Sequence, residues 1–373
     1  MKYCFRLLLL STIGILAAEF AAYLLFQVFL TERLASHWRV DPESLLKSLD
    51  EAALHSYREE FYDPVLGWVF RNETRAFDYA SFDKLGARVD PAPGREGRIA
   101  AYGDSFTFGE DVANNETWPH YLSELTGDRV ANFGVSGYGP DQALLRLVGH
   151  LESGQVPDII VLGVLSENIA RLVNVWRAAY TKGEPLNFKP ILWKYNDDVR
   201  WIAPPLRSPI SIDGALRAVL AARPYDYWLE YNYHRPPLPS IPYLWSAVST
   251  STYLGFRAKR WQDLWEMDRP IQIFSDIIQE FVRLSEEYGF RPILLMIPMG
   301  EDFRLHEVGH PTTYAPVITK LREKYAVGLE IVDTIDQPLD VLRFYLKPLS
   351  GHTSPYGNRE IAVALHKQIG EQG

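Results

Sequence analysis

The 373 residues are 47% hydrophobic and 23% charged, enough for a sizeable core in one large domain or two ordinary ones, which excludes wholesale disorder. A net charge of −9 argues against a nucleic-acid partner, which needs a basic face. The single cysteine, Cys4, excludes an internal disulfide and any multi-cysteine metal site.

Residues 7–30 are almost entirely apolar, with Glu19 and Gln27 as the main interruptions. A run of that length spans a bilayer. A cleaved signal peptide has a shorter apolar core that ends at a small-x-small site. Here Ala17-Ala18-Glu19 is a poor site and the apolar run resumes at Phe20. An uncleaved membrane anchor over 1–31 is therefore expected. Lys2 and Arg6 before it place the amino terminus in the cytoplasm and the rest of the chain outside, although Arg33 and Arg39 weaken the asymmetry. Glu19 is costly in lipid and hints at a partner or a functional contact.

Residues 32–96 read as a juxtamembrane helix, capped at Asp41 or Ser44, and an irregular linker. Asp63-Pro64 and Pro91-Ala-Pro-Gly94 are its turn signals. The compact part is expected over 97–373, where strands and helices alternate. Strands are predicted at 99–102, 129–133, 158–164, 292–298 and 329–332. Helices are predicted at 116–126, 141–151, 271–288, 317–325 and 355–369, the last with Ser354 as cap. Asp158 to Val164 is continuously apolar, as a central parallel strand should be. Repeated β-α units predict a mostly parallel sheet with helices on both faces. Between about 174 and 269 the pattern breaks, and seven of the ten tryptophans fall there. This reads as an insertion. Its aromatics line a cleft, pack against the anchor, or form the insertion's own core.

Ser105 follows the first strand in Gly103-Asp104-Ser105-Phe-Thr-Phe-Gly109. Open α/β sheets carry their chemistry at the carboxyl ends of strands, and glycines let a substrate approach. A serine there is a nucleophile or a helix cap. His352, in Gly351-His-Thr-Ser-Pro355 before the last helix, is the candidate base, with His306 and His310 as runners-up. His120, His150 and His366 read as surface residues on helix faces. Asn132-Phe-Gly-Val-Ser-Gly-Tyr-Gly139 exposes backbone N–H groups suited to an oxyanion, and Ser166-Glu167-Asn168 ends the third strand with a side-chain amide.

Gly103-Asp104-Ser105, Gly137, Asn168 and His352 resemble, in order and spacing, the four blocks of the SGNH/GDSL hydrolases. The resemblance covers roughly 98–172 and 271–370. It implies a flavodoxin-like three-layer α/β/α sandwich, with Ser105 as nucleophile and His352 as general base. It also implies that the Ser105 N–H, Gly137 N–H and Asn168 side chain form the oxyanion hole, with no metal or organic cofactor. Two departures stand out. The third block usually reads Gly-x-Asn-Asp, so Glu167 competes with Asn168 for the oxyanion position, and chemistry favours Asn168. The acid usually found three residues before the histidine is Leu349 here. A Ser-His dyad, a backbone carbonyl or a carboxylate such as Asp340 stands in. The expected function is a membrane-anchored serine esterase acting on an ester, with an O-acylated or O-acetylated cell-surface glycan as the substrate by analogy. An O-acyltransferase with the same residues is one alternative. A catalytically weak glycan-binding or assembly component, motivated by the missing acid, is the other.

Overall fold

The computed structural model describes residues 2–30, 35–71, 74, 77–195 and 198–370. Five strands form one sheet: β1 (Arg95–Tyr102), β2 (Asp128–Asn132), β3 (Ile159–Leu165), β4 (Arg291–Ile297) and β5 (Glu330–Asp333). The order is β2-β1-β3-β4-β5 and every pairing is parallel. That order places the switch point between β1 and β3, where ligands bind beyond the carboxyl ends of the strands.

Six helices matter below: α1 (Lys2–Leu24), α2 (Trp118–Thr126), α3 (Pro140–Glu152), α4 (Tyr243–Phe256), α5 (Asp268–Tyr288) and α6 (Pro355–Gly370). Alternate strand residues face opposite layers. Ala100, Tyr102, Ile160, Leu162, Leu294 and Met296 join Leu144, Leu147, Ile277 and Phe281 of α3 and α5 in one core. Ile99, Ala101, Val161, Ile293 and Leu295 join Trp118, Leu122, Ile361 and Leu365 of α2 and α6 in the other. The result is an α/β/α sandwich. Its strands are apolar on both faces because both faces are covered.

Among the described residues, the segment between β3 and α5 has no separate core. Trp176, Phe188, Trp228 and Trp265 are buried in the cluster that includes α3 and α5. The Trp228 and Trp265 ring N–H groups donate to the carbonyls of Ala170 and Ser166, at 2.8 and 3.0 Å. Trp201 and Trp261 are half-buried, and Trp245 is 67% exposed on α4.

Residues 61–96 hold more structure than an irregular linker. Tyr62–Asp63 pairs antiparallel with Gly67–Trp68. Trp68, Phe70 and Phe82 then pack on Phe108, Val135 and Tyr138, beside the end of β1.

The stretch Tyr3–Leu30 is long and apolar enough to cross a membrane, features that a signal sequence shares.

Candidate active site

Ser105 opens a single helical turn, Ser105–Phe108, directly after β1. Asp104, not Ser105, is the cap: its Oδ1 accepts from the Phe106 N–H at 2.9 Å. The turn crosses β3 so closely that a Cβ on Gly103 would stand 2.7 Å from the Gly163 carbonyl oxygen and 2.2 Å from Thr107 Oγ1. Only glycine lets the chain leave β1 at this angle. Ser105 itself is buried, with its hydroxyl directed at His352.

His352 lies in a short strand, Ser350–Thr353, paired antiparallel with Tyr345–Lys347, where the sequence reads as a loop. Its Nε2 is 3.1 Å from Ser105 Oγ. Its Nδ1 is 2.7 Å from Asp111 Oδ2. A carboxylate only accepts, so Nδ1 carries the proton and Nε2 offers its lone pair to the hydroxyl. The Phe106 ring packs against the imidazole at 5.2 Å.

Asp340 does not fill the place expected of it. It is exposed and sits at the start of the short helix Val341–Phe344, where its N–H donates to the Tyr356 hydroxyl at 3.1 Å. Leu349 packs its side chain on the apolar layer of α2 and α6. The acid facing Nδ1 of the imidazole is Asp111, only six positions after the serine. Its backbone has φ 67°, an unusual conformation for a non-glycine residue. The one available signal was an acidic pair, Glu110-Asp111, in the serine's own loop.

Arg88 holds that loop. Its Nη1 donates to the carbonyls of Phe108 (2.8 Å) and Gly109 (2.6 Å), and its Nη2 to Val112 (2.6 Å). Its Nε donates to Asn114 Oδ1 at 2.8 Å, and the guanidinium lies 4.7 Å from the Phe108 ring centroid. Burial pushes its pKa down to about 10, so it stays charged at neutral pH. Sequence reasoning missed it because it lies in the segment read as linker.

Asn168 and Glu167 part company at the end of β3. Asn168 Nδ2 donates to Asp104 Oδ2 at 2.9 Å, and its Oδ1 accepts from the Leu165 N–H at 3.1 Å. That leaves one amide hydrogen uncommitted. Glu167 instead pairs with Arg171 at 2.9 Å, and Arg171 reaches Asp104 at 3.1 Å. Burial works against the Arg171 charge, but the Glu167 and Asp104 carboxylates outweigh it and hold the pKa above its ordinary value. Gly137 has φ 82° and lies in the turn after β2. Among the described residues, the N–H groups of Ser105 and Gly137 meet no acceptor.

The remaining histidines stand apart from the serine. His306, His310 and His366 are exposed. His120 is buried rather than on the surface, 2.7 Å from Asp90. His150 is half-buried against the Tyr102 hydroxyl at 2.8 Å, and burial, with Arg146 adding to it, lowers its pKa to about 3.

Glu110 lies 3.6 Å from His352 Nε2 and accepts from Ser136 Oγ at 2.6 Å. Glu110 and Ser136 also edge a cleft of about 410 Å³. Tyr57, Trp68, Phe70 and Phe77 supply aromatic walls, and Glu184 a second carboxylate. Arg177, at the Gly137 turn, is paired with Glu184 at 3.1 Å.

No family model matches the chain, and no curated protein matches it. Among solved structures it is similar to a lipolytic protein of the G-D-S-L family from Desulfitobacterium hafniense, with 12% identity over 73% of this chain and 98% of that one and a TM-score of 0.36. It is also similar to a two-domain esterase active on acetylated mannans, with 10% identity over 74% of this chain and 50% of that one and a TM-score of 0.38. A third is an acetyl xylan esterase from the rumen bacterium Butyrivibrio proteoclasticus, with 12% identity over 76% of this chain and 65% of that one and a TM-score of 0.34. These likenesses are remote.

Proposed function

We propose that the chain is a membrane-anchored serine esterase of SGNH type. The observation that carries this reading is the hydrogen-bonded line Ser105–His352–Asp111 at the carboxyl end of β1. His352 Nε2 takes the Ser105 proton as Oγ bonds to the ester carbonyl carbon. The tetrahedral oxyanion is met by the Ser105 and Gly137 N–H groups and by the free Asn168 amide hydrogen. The imidazolium then gives its proton to the departing alcohol, leaving an acyl-Ser105. Water, deprotonated by His352, attacks the acyl carbon, and Ser105 leaves with its proton restored. Asp111 fixes the tautomer and balances the imidazolium charge. No step needs a metal or an organic cofactor.

The cleft beside Glu110 supports a neutral substrate. Its carboxylates disfavour an anionic ester, and aromatic faces beside hydrogen-bond acceptors suit the apolar faces and hydroxyls of a sugar. An O-acylated glycan fits that lining. The acetylated mannans and xylan named for two of the similar structures belong to the same chemical class. The His352 and Asp111 side chains are 23% and 56% exposed, so water reaches the imidazole that activates it. That favours hydrolysis over transfer to a second alcohol. The anchor at 1–31 would hold the catalytic end outside the cytoplasm.

The test is labelling of the detergent-solubilised full chain by a fluorophosphonate, together with p-nitrophenyl acetate hydrolysis. Wild type is expected to label and turn over, and Ser105→Ala to do neither, with a loss of about four orders of magnitude or more. Turnover that survives Ser105→Ala rejects the nucleophile. A wild type that neither labels nor hydrolyses rejects the esterase.

A further inference from the structure

A helix packed on a water-soluble protein turns its apolar side inward and its polar side out. α4 does the reverse. Its buried residues are Ser246, Thr250 and Tyr253, one stripe at helical spacing. Its exposed residues include Leu244, Trp245, Val248 and Phe256, the last 88% exposed. Small and hydroxyl residues inside with large apolar residues outside is the pattern of a helix whose surroundings are lipid.

The neighbour of α4 is the anchor. α1 and α4 run in contact, and Tyr23 meets Tyr243 edge to face at 5.2 Å. Glu19, the lone acid in the apolar run, closes the amino end of α4. Its carboxylate accepts from the Tyr243 N–H and, at 2.9 Å, from the Leu244 N–H. In hydrocarbon those first-turn N–H groups have no water to turn to, so a carboxylate there satisfies donors that would otherwise be costly.

The dimensions agree. Glu19 lies between seven and eleven residues below Phe26 and Leu30, about 10–16 Å along a helix. Phe26 is already against Trp38 and so at the level of the folded body, with ring centroids 6.3 Å apart. The chain therefore descends to reach Tyr243. The descending stretch, residues 234–242, contains Pro236, Pro237, Pro239 and Pro242, which have no N–H to leave unpaired. Leu238 and Ile241 are exposed along it. The Ser240 N–H is met by Ser246 Oγ at 3.3 Å. α4 then returns over its 14 residues, about 21 Å. Its end is followed by exposed Arg257, Lys259 and Arg260, a basic cluster at the level of anionic headgroups.

We infer that residues 238–256 form a re-entrant element that dips into the outer half of the bilayer beside the anchor, its apolar face against acyl chains and its basic end on headgroups. The inference rests on the anchor reading. With α4 seated in lipid, the folded body is fixed at the membrane surface at two places rather than tethered at one.

The experiment uses the full chain with Cys4→Ser and single cysteines carrying an NBD fluorophore, in phosphatidylcholine and phosphatidylglycerol vesicles with or without doxyl-labelled lipid. Trp245→Cys and Val248→Cys report α4, Ile13→Cys reports the anchor, and Val327→Cys, 94% exposed on a surface loop, reports water. Quenching at 245 and 248 comparable to that at 13, with none at 327, is the expected result. Quenching at 13 without quenching at 245 and 248 overturns the re-entrant element and leaves the anchor standing. No quenching at 13 overturns the anchor, and the inference falls with it. Glu19→Ala is expected to reduce quenching at 245 at least twofold, while Glu19→Gln, which keeps an acceptor, retains most of it. Full quenching in Glu19→Ala rejects Glu19 as the closing group.

Discussion

The two ends of the molecule are each held by one charged side chain from the first quarter of the sequence. At the end that carries Ser105 and His352, Arg88 gathers the carbonyls of Phe108, Gly109 and Val112. At the end that carries the long apolar helix, Glu19 gathers the N–H groups of Tyr243 and Leu244. A cation meets acceptors and an anion meets donors, so each charge is matched to the half of the peptide group it faces. The difference lies in what surrounds them. Arg88 is enclosed by protein, and the loop it fixes presents Asp111 to an imidazole that water reaches. Glu19 lies in an apolar belt, and what it fixes has its large side chains outward. The lesson is that the segment before the sheet does more than connect. It supplies the fixed charges that set the geometry of both ends.

The sharpest way to break this comparison is at the group the catalytic loop presents. Asp111→Asn is expected to lower kcat/KM for p-nitrophenyl acetate by about 10²–10³-fold, because the imidazole loses the partner that sets its tautomer. The loss should stay below that of a fully buried acid, since solvent screens Asp111. Asp340→Asn, away from the imidazole, is expected to stay within about twofold of wild type. An Asp340→Asn loss with an unchanged Asp111→Asn rate would reverse the assignment. The next effect belongs to the clamp. Arg88→Lys keeps the charge but not the planar fork, so one ammonium faces carbonyls that the guanidinium met together. Displacing Asp111 by an ångström would cost about 10²-fold in kcat, with KM much less changed. A matching fall in thermal stability is expected. A stability loss with unaltered kcat would confine Arg88 to a structural role.

Much of the fold was open to sequence reading because the sheet is wrapped on both faces. A strand such as Ile159–Leu165 must then be a continuous apolar run, and that run has little else to be. Ser105 and His352 were legible for a local reason too, since each is set among glycines at an element boundary. Asp111 was not. Glu110-Asp111 looks like any polar turn, and only the tertiary placement of the hairpin 345–353, some 240 positions later, gives it an imidazole to face. Arg88 was hidden in the same way, because its partners are backbone carbonyls that no residue type announces. Glu19 drew attention as an anomaly in an apolar run, but its partners are N–H groups and equally silent in sequence. Arg88 and Glu19 pair with backbone groups that no residue type marks, and Asp111 pairs with a side chain that only the fold brings near.

The smallest effect comes from a carboxylate that, among the described residues, is buried with no cation bonded to it. Asp104 has Arg171 and Asn168, whereas Asp333, at the end of β5, has the Tyr314 hydroxyl at 2.9 Å and the Ile335 N–H at 3.2 Å. Burial raises the Asp333 pKa from an ordinary 3.8 to about 7, although these two donors pull the other way. The folded state therefore binds a proton that the unfolded state gives up between pH 4 and 7. Stability from this group is fully present below the unfolded pKa and is lost as pH rises through the folded one. Raising the pH from 5 to 8 should lower stability by an amount on the order of 1–3 kcal/mol, read as a falling Tm. Asp333→Asn removes the titration and keeps an acceptor for Tyr314, so its Tm should be the flatter one over that window and the higher one at pH 8. Equal slopes for wild type and variant would mean that Asp333 stays ionised on folding, and that two neutral donors serve a buried carboxylate as well as a guanidinium does.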